Sequence, residues 1–322
     1  MSQSTVEERV PGAQEDNGRV ERRLPSVWAG LAIASTVLAA AGGITGLLIP
    51  GVIYGRETPT LYDSAIAQDL VSVFLLAPVT VVLAVRAMRG SLKSWLCLLG
   101  VLAFTVYNYV IYTFSVQFGP LFLVWVAILG LSVFAFVGGL AALNASPLRF
   151  DHAAIRTTGW FIGGTAALFA LLWLSEIVPD LVAGRPSTSA SAWNVPTNPV
   201  HVLDLALFVP GMLASAVLLM RRRQIGYATA AAILTFIGFT AMPILLTPLV
   251  ANARGHEAGW AVMIPMGVVL LGTVLTLWRF LRTVGSRNGA PRDSATTADS
   301  ATRLRERGRP RRRLRRGSAR RR

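Results

Sequence analysis

The chain has 322 residues, 53% of them hydrophobic and only 15% charged, with a formal net charge of +15. Soluble domains average about 45–50% apolar and about 25% charged residues, so this composition argues against an ordinary soluble domain and fits a polytopic membrane protein. The charge does not describe a nucleic-acid-binding core, because sixteen arginines fall from Arg279 onward and Lys93 is the only lysine among 31 basic residues.

Residues 1–26 are polar and partly acidic, with no short basic segment leading into a cleavable apolar run, so no signal peptide is expected. They read as a disordered cytoplasmic N-tail. Eight apolar segments follow, at 27–50, 67–86, 94–114, 119–143, 157–178, 200–220, 226–250 and 259–282. Each is near the roughly 20 residues that cross a bilayer as a helix. None alternates with the period of a barrel strand. The domain at 27–283 is therefore expected to be all-α, with eight transmembrane helices. Cys97 is the only cysteine and lies in the third segment, which excludes an internal disulfide. Residues 284–322 read as a disordered, arginine-rich cytoplasmic C-tail. Such a tail suits anionic lipids, attracted at about 1 kcal/mol per charge near the surface. Nucleic acid is the weaker partner for it.

Orientation follows from the basic residues between the segments. One side holds Arg9, Arg19, Arg22 and Arg23, then Arg86, Arg89 and Lys93, then Arg149 and Arg156, then Arg221–Arg223 and the C-tail. The other side holds only Arg56, Arg185 and Arg254. Both termini are expected to be cytoplasmic, in a bacterial plasma membrane; the preference for arginine over lysine suggests a GC-rich genome.

A repeat crosses this plan. Residues 49–56 read IPGVIYGR and residues 178–185 read VPDLVAGR. Pro50, Gly55 and Arg56 match Pro179, Gly184 and Arg185 at one offset, and Gly30, Ile33 and Thr36 match Gly159, Ile162 and Thr165 upstream. After six extra loop residues, Asp69-Leu70 matches Asp204-Leu205 and Arg86 matches Arg221. The expectation is two parallel four-helix repeats, 27–143 and 157–282, related by a pseudo-two-fold along the membrane normal. The octapeptide reads as a hinge between helix and outer loop.

Polar residues within apolar helices are costly, about 2.5–3.5 kcal/mol for a central charge on insertion scales, so each calls for a reason. They are Gln68 and Asp69 in the second segment, Asn108 and Tyr112 in the third, Glu176 in the fifth, and His201 and Asp204 in the sixth. All fall in the outer half of the membrane under this topology. One reading is an outward-facing polar cavity between the repeats, with Asp69 and Asp204 facing each other and His201, Glu176, Asn108 and Tyr112 around them. The other is structural. In it the aspartates sit near helix N-termini, where the dipole favours them, and Arg56 and Arg185 pair with them to pin the outer loops. Asn108 and its neighbouring tyrosines would then serve helix packing and the interfacial aromatic belt. Gly42-x-x-x-Gly46 and Gly159-x-x-x-Gly163 allow close helix approach. Pro78, Pro210, Pro243 and Pro265 can kink their helices.

No P-loop, HExxH, GxSxG or paired CxxC occurs. No catalytic residue, cofactor or metal ligand is assigned. The segments GLLIPGVIYGRETPTL, AQDLVSV, YNYVIYTFSVQFGPLFL, WLSEIVPDLVAG and NPVHVLDLALFVPGMLASAVLLMRRRQIGY together resemble an uncharacterised bacterial family of multi-pass integral membrane proteins, over roughly residues 27–245. The resemblance implies an eight-helix membrane fold and brings no activity. The leading expectation is a transporter or permease-like protein acting on a small solute or ion. The alternatives are a non-enzymatic sensor or assembly factor that binds a ligand or partner protein, and a membrane-embedded enzyme using Asp204, His201 and Glu176 near the outer interface. Oligomeric state is left open.

Overall fold

The computed structural model describes residues 25–143 and 152–283. The expected tails, apart from Pro25 and Ser26, and the connection bearing Arg149 lie outside them. Among the described residues there are eight helices long and apolar enough to cross a membrane, and no strand. They are α1 Ser26–Leu48, α2 Pro59–Met88, α3 Leu92–Ser115, α4 Phe122–Ala141, α5 His152–Val182, α6 Pro199–Met220, α7 Gln224–Ala253 and α8 Trp260–Thr283. The chain is thus an integral membrane protein whose helices contact a lipid bilayer. Its surface agrees, since large exposed side chains are apolar, as with Phe74, Leu123 and Ile264 at 72–80% exposure. Several polar side chains, among them Asp69, Asn108 and His201, are buried instead.

Within each set of four, the packing follows one order. α1 packs on α2 and α4, and α3 packs on α2 and α4; likewise α5 packs on α6 and α8, and α7 packs on α6 and α8. The two sets meet where α7 lies against α2 and α3. α3 is accordingly the most enclosed helix, with core residues on all sides from Trp95 to Tyr112.

Local chemistry sets the ends. Ile49 leaves the helical region (φ −130°, ψ 53°) because the residue before a proline is pushed out of it, so α1 stops and Pro50–Ile53 forms a separate turn. The second helix of each half starts with a polar cap followed by proline. Thr58 accepts from the Leu61 N–H before Pro59, and Asn198 accepts from the Val200 N–H before Pro199. α2 therefore begins eight residues before the expected 67. α5 also runs beyond its expected end at 178. Pro179 sits inside it without stopping it, so the second copy of the octapeptide is helical where the first breaks. Only the first copy behaves as the expected hinge.

Both second helices contain a π turn, Ser72–Leu76 in α2 and Asp204–Phe208 in α6, and a proline follows each at the same spacing, Pro78 and Pro210. A proline lacks the N–H that its turn would use, and a π turn takes up the mismatch. Counted from these turns, Ser72 corresponds to Asp204, and Asp69 to His201. This register differs by three residues from the one that pairs the two aspartates.

Candidate functional site: a cavity between the two halves

A cavity of about 330 Å³ lies where α2 and α3 face α5, α6, α7 and α8. It extends from residues near the helix ends, such as Leu61, Val116, Trp193 and Val262, to a floor of Phe104, Phe208 and Phe236 in the middle of the bundle. The floor is a packed aromatic group. Phe208 stacks on Phe236 with ring centroids 4.2 Å apart, and Tyr107 meets both edge-on at 4.9 and 5.5 Å. The walls are mainly apolar. Their polar members include Gln68, Asn108, Tyr112, Trp173 and Asp204.

Asp204 enters the wall as the first residue of the π turn whose last residue is Phe208. The Trp173 indole N–H donates to its Oδ2 at 2.7 Å, and the Tyr107 side chain lies near the same carboxylate. One turn earlier, His201 packs its ring against Trp173 at 4.6 Å and places its buried Nε2 3.5 Å from Glu176 Oε2, an ion-pair distance at which Nε2 makes no hydrogen bond. Two i,i+3 pairs therefore face each other across antiparallel helices, Trp173 and Glu176 on α5 against Asp204 and His201 on α6. Asn108 on α3 lines the opposite wall, and its buried amide nitrogen has no partner. A buried unpaired donor costs about 1–3 kcal/mol, so a bound molecule or water has something to satisfy there.

Asp69 is placed differently. It is 3% exposed and does not line the cavity. Tyr54 donates to its Oδ2 at 2.7 Å, and the Tyr112 hydroxyl lies 3.1 Å from both its Oδ1 and the Ala65 carbonyl. Tyr112 itself faces the cavity, so Asp69 sits one hydroxyl behind the wall. Gly46 makes room for it: a Cβ there would lie 2.1 Å from Asp69 Oδ2 and 2.8 Å from the Tyr54 hydroxyl oxygen. Asp69 and Asp204 thus do not share one cavity surface. Nor does the helix dipole hold Asp69, which lies about three turns into α2 at 3.6 residues per turn.

The expected arginine pairs are also different. Arg56 donates to the Phe118 carbonyl rather than to Asp69. Arg185 pairs with Asp180 at 2.6 Å rather than with Asp204. Asp180 also accepts from the Thr188 N–H at 2.7 Å, so it organises its own loop. That loop carries the helical turn Thr188–Trp193, which docks on the other half through a bond from the Thr58 hydroxyl to the Ala192 carbonyl at 2.7 Å. The extra loop residues in the second half thereby bring Trp193 to the cavity.

Beside the cavity, Asp63 on α2 ties the halves together. It accepts from Arg254, and His256 Nδ1 lies 2.7 Å from its other oxygen. The Arg254 guanidinium also covers the Tyr62 ring at 3.6 Å. In the neighbouring outer loop, burial pushes the Glu57 carboxyl above its ordinary range, opposed by the Gln117 N–H it accepts at 2.9 Å and by nearby Arg56.

Structure thus joins Glu176, His201 and Asp204 in one cluster and Asp69 with Tyr112 in another, and sets Asn108 across the cavity. Sequence reasoning missed Tyr54, Trp173, Asp63 and His256 as partners. A signal existed for Tyr54: it stands where the second octapeptide has Ala183, as Gly51 stands where that copy has Asp180. The mismatches between the copies, rather than the matches, mark which acid each loop serves. Among the described residues no group of three His, Cys, Asp or Glu side chains converges as a metal site requires. No family model matches the chain, and neither a curated protein nor a solved structure matches it.

Proposed function

We propose that the chain is a transporter or permease-like protein whose solute site is the cavity around Asp204 and Asn108. The observation that carries this reading is a cavity at the meeting of two similarly packed four-helix sets, with a carboxylate and an unpartnered amide in mainly apolar walls. Ligand sites of transporters built from repeats lie at the repeat interface near mid-membrane, on interrupted helices. α6 is interrupted at the π turn, and that turn joins the solute-facing Asp204 to Phe208 in the aromatic floor. A solute drawn to Asp204 acts on the same five residues that close the passage. A small shift of the turn would unstack Phe208 from Phe236.

The halves are read as products of a duplication with parallel orientation, supported by the common packing order and the matched π-turn and proline spacing. Both termini are placed in the cytoplasm of a bacterial cell, so the cavity faces outward. The arginine-rich tail then lies against anionic lipid.

The test works without the identity of the solute. Cells making the chain are compared with cells making Asp204→Asn by untargeted analysis of solutes taken up or released. At least one solute should change with the natural chain and not with the variant. Identical profiles, with both proteins present in the membrane, would contradict transport.

A further inference from the structure

The walls of the cavity indicate what class of molecule fills it. We infer that its ligand is a small organic cation with an aromatic or apolar body; this rests on the cavity being the solute site.

Asp204 is the only acidic residue in the lining, and the lining holds no lysine, arginine or histidine. Among the described residues, the ion pairs are those of Asp63, Asp180 and Glu176, so Asp204 has no cationic partner. Its hydrogen bond comes from a neutral donor, Trp173, with the Tyr107 side chain nearby. Such bonds orient a carboxylate without cancelling its charge, and a charge inside a membrane bundle without a counterion is costly. A cationic ligand supplies that counterion. The arginines on the cavity's side of the bundle are already engaged, Arg254 with Asp63, Arg185 with Asp180 and Arg56 with the Phe118 carbonyl.

The surroundings of the carboxylate add to the preference. Tyr107, Trp173 and Phe208 line the cavity with it, and aromatic rings attract cations that have left water. An anion would meet a carboxylate of the same sign. A bare metal ion would find a single carboxylate, the other polar lining groups being neutral amides, hydroxyls and indoles, and among the described residues no group of three His, Cys, Asp or Glu converges to hold one. The volume also exceeds what an ion needs and falls at the lower end of the range for small organic ligands, about 300–1,000 Å³.

The test is binding to the full chain purified in detergent, by calorimetry, with 2-phenylethylammonium, its near-isostere 2-phenylethanol, and phenylacetate. The ammonium should bind at least about tenfold tighter than the alcohol, the equivalent of one ion-pair or cation–π contact, and phenylacetate should not bind. Asp204→Asn should abolish that ratio, and Asp204→Glu should keep it. The comparison among ligands on the natural chain needs no variant, so misfolding of Asp204→Asn leaves the inference open to refutation. No saturable ammonium binding, equal affinity for ammonium and alcohol, or an unchanged ratio in a folded Asp204→Asn would each overturn it. Binding in detergent requires no flux. Selective ammonium binding with identical cellular solute profiles would therefore refute transport and leave the cation preference standing. Uptake of only neutral or anionic solutes would do the reverse.

Discussion

The Trp173 indole nitrogen donates to the Asp204 carboxylate at 2.7 Å, from the middle of α5 to the π turn of α6. This contact fixes the acid in the cavity wall without neutralising it. Trp173→Phe keeps an aromatic ring, though a smaller one, and removes the donor. It should cost about 1–3 kcal/mol, as for a buried polar group losing its partner. In a cycle with Asp204→Asn, the double variant should lose less than the sum of the singles, because the residues act as a pair. Thermal unfolding of the purified chain measures both, and additive losses would mean that the contact does not hold the site.

Gly46 and Asp69 form a second coupled pair. A methyl at position 46 falls within 2.1 Å of the Asp69 carboxylate and against the Tyr54 hydroxyl. Gly46→Ala should destabilise by about 1–3 kcal/mol, typical of overpacking. In an Asp69→Ala background the same change should cost markedly less, since the nearest obstacle is gone. An undiminished cost would place the clash elsewhere.

Asp63 joins α2 to the loop between α7 and α8 through Arg254 and His256. Asp63 is buried, while both partners are about one-third exposed. Removing one member of a buried pair strands the other, at about 3–5 kcal/mol in the fully buried limit. Asp63→Ala should therefore approach that cost and exceed the cost of His256→Ala, because His256→Ala leaves Arg254 in place. Thermal unfolding separates the two, and equal small losses would show that the Asp63 contacts do not hold the halves together.

Glu57 gives a pH signature. Its carboxyl is raised by burial, so the folded state holds its proton to higher pH than the unfolded chain does. Stability from this group is present at pH below the unfolded value and falls as pH rises through the folded one. Glu57→Gln retains an acceptor for the Gln117 N–H and removes the titration. The variant should gain on the natural chain as pH rises from the acid range toward neutrality, by less than about 1 kcal/mol for a group that is only half-buried. A constant difference across that range would contradict it.

Eight spans were legible because lipid-facing helices must be apolar over their full length. The start of α2 was not legible. Tyr62, Asp63, Ser64 and Gln68 lower the local hydropathy, and the partners that make Asp63 tolerable lie on the far half of the chain, at Arg254 and His256. Candidate site residues could be found as polar letters in apolar text, but not their grouping. Asp69 and Asp204 match in sequence, yet a three-residue difference in helical register turns one into the first half's interior and the other into the cavity. The octapeptide shows the same limit. Its shared Pro, Gly and Arg mark the end of the first helix in each half, whereas Tyr54 against Ala183 and Gly51 against Asp180 decide what each copy holds.

The most direct test of the central claim asks whether the cavity opens to both sides of the membrane. Ser64 lies in its lining, away from Asp204 and Asn108, and Cys97 is the only natural cysteine. In a Cys97→Ser, Ser64→Cys chain, a membrane-impermeant thiol reagent is applied to intact cells and, separately, to inside-out vesicles. A transporter that exposes this cavity alternately should be labelled from both sides. Labelling from the outer side alone would contradict transport through the cavity.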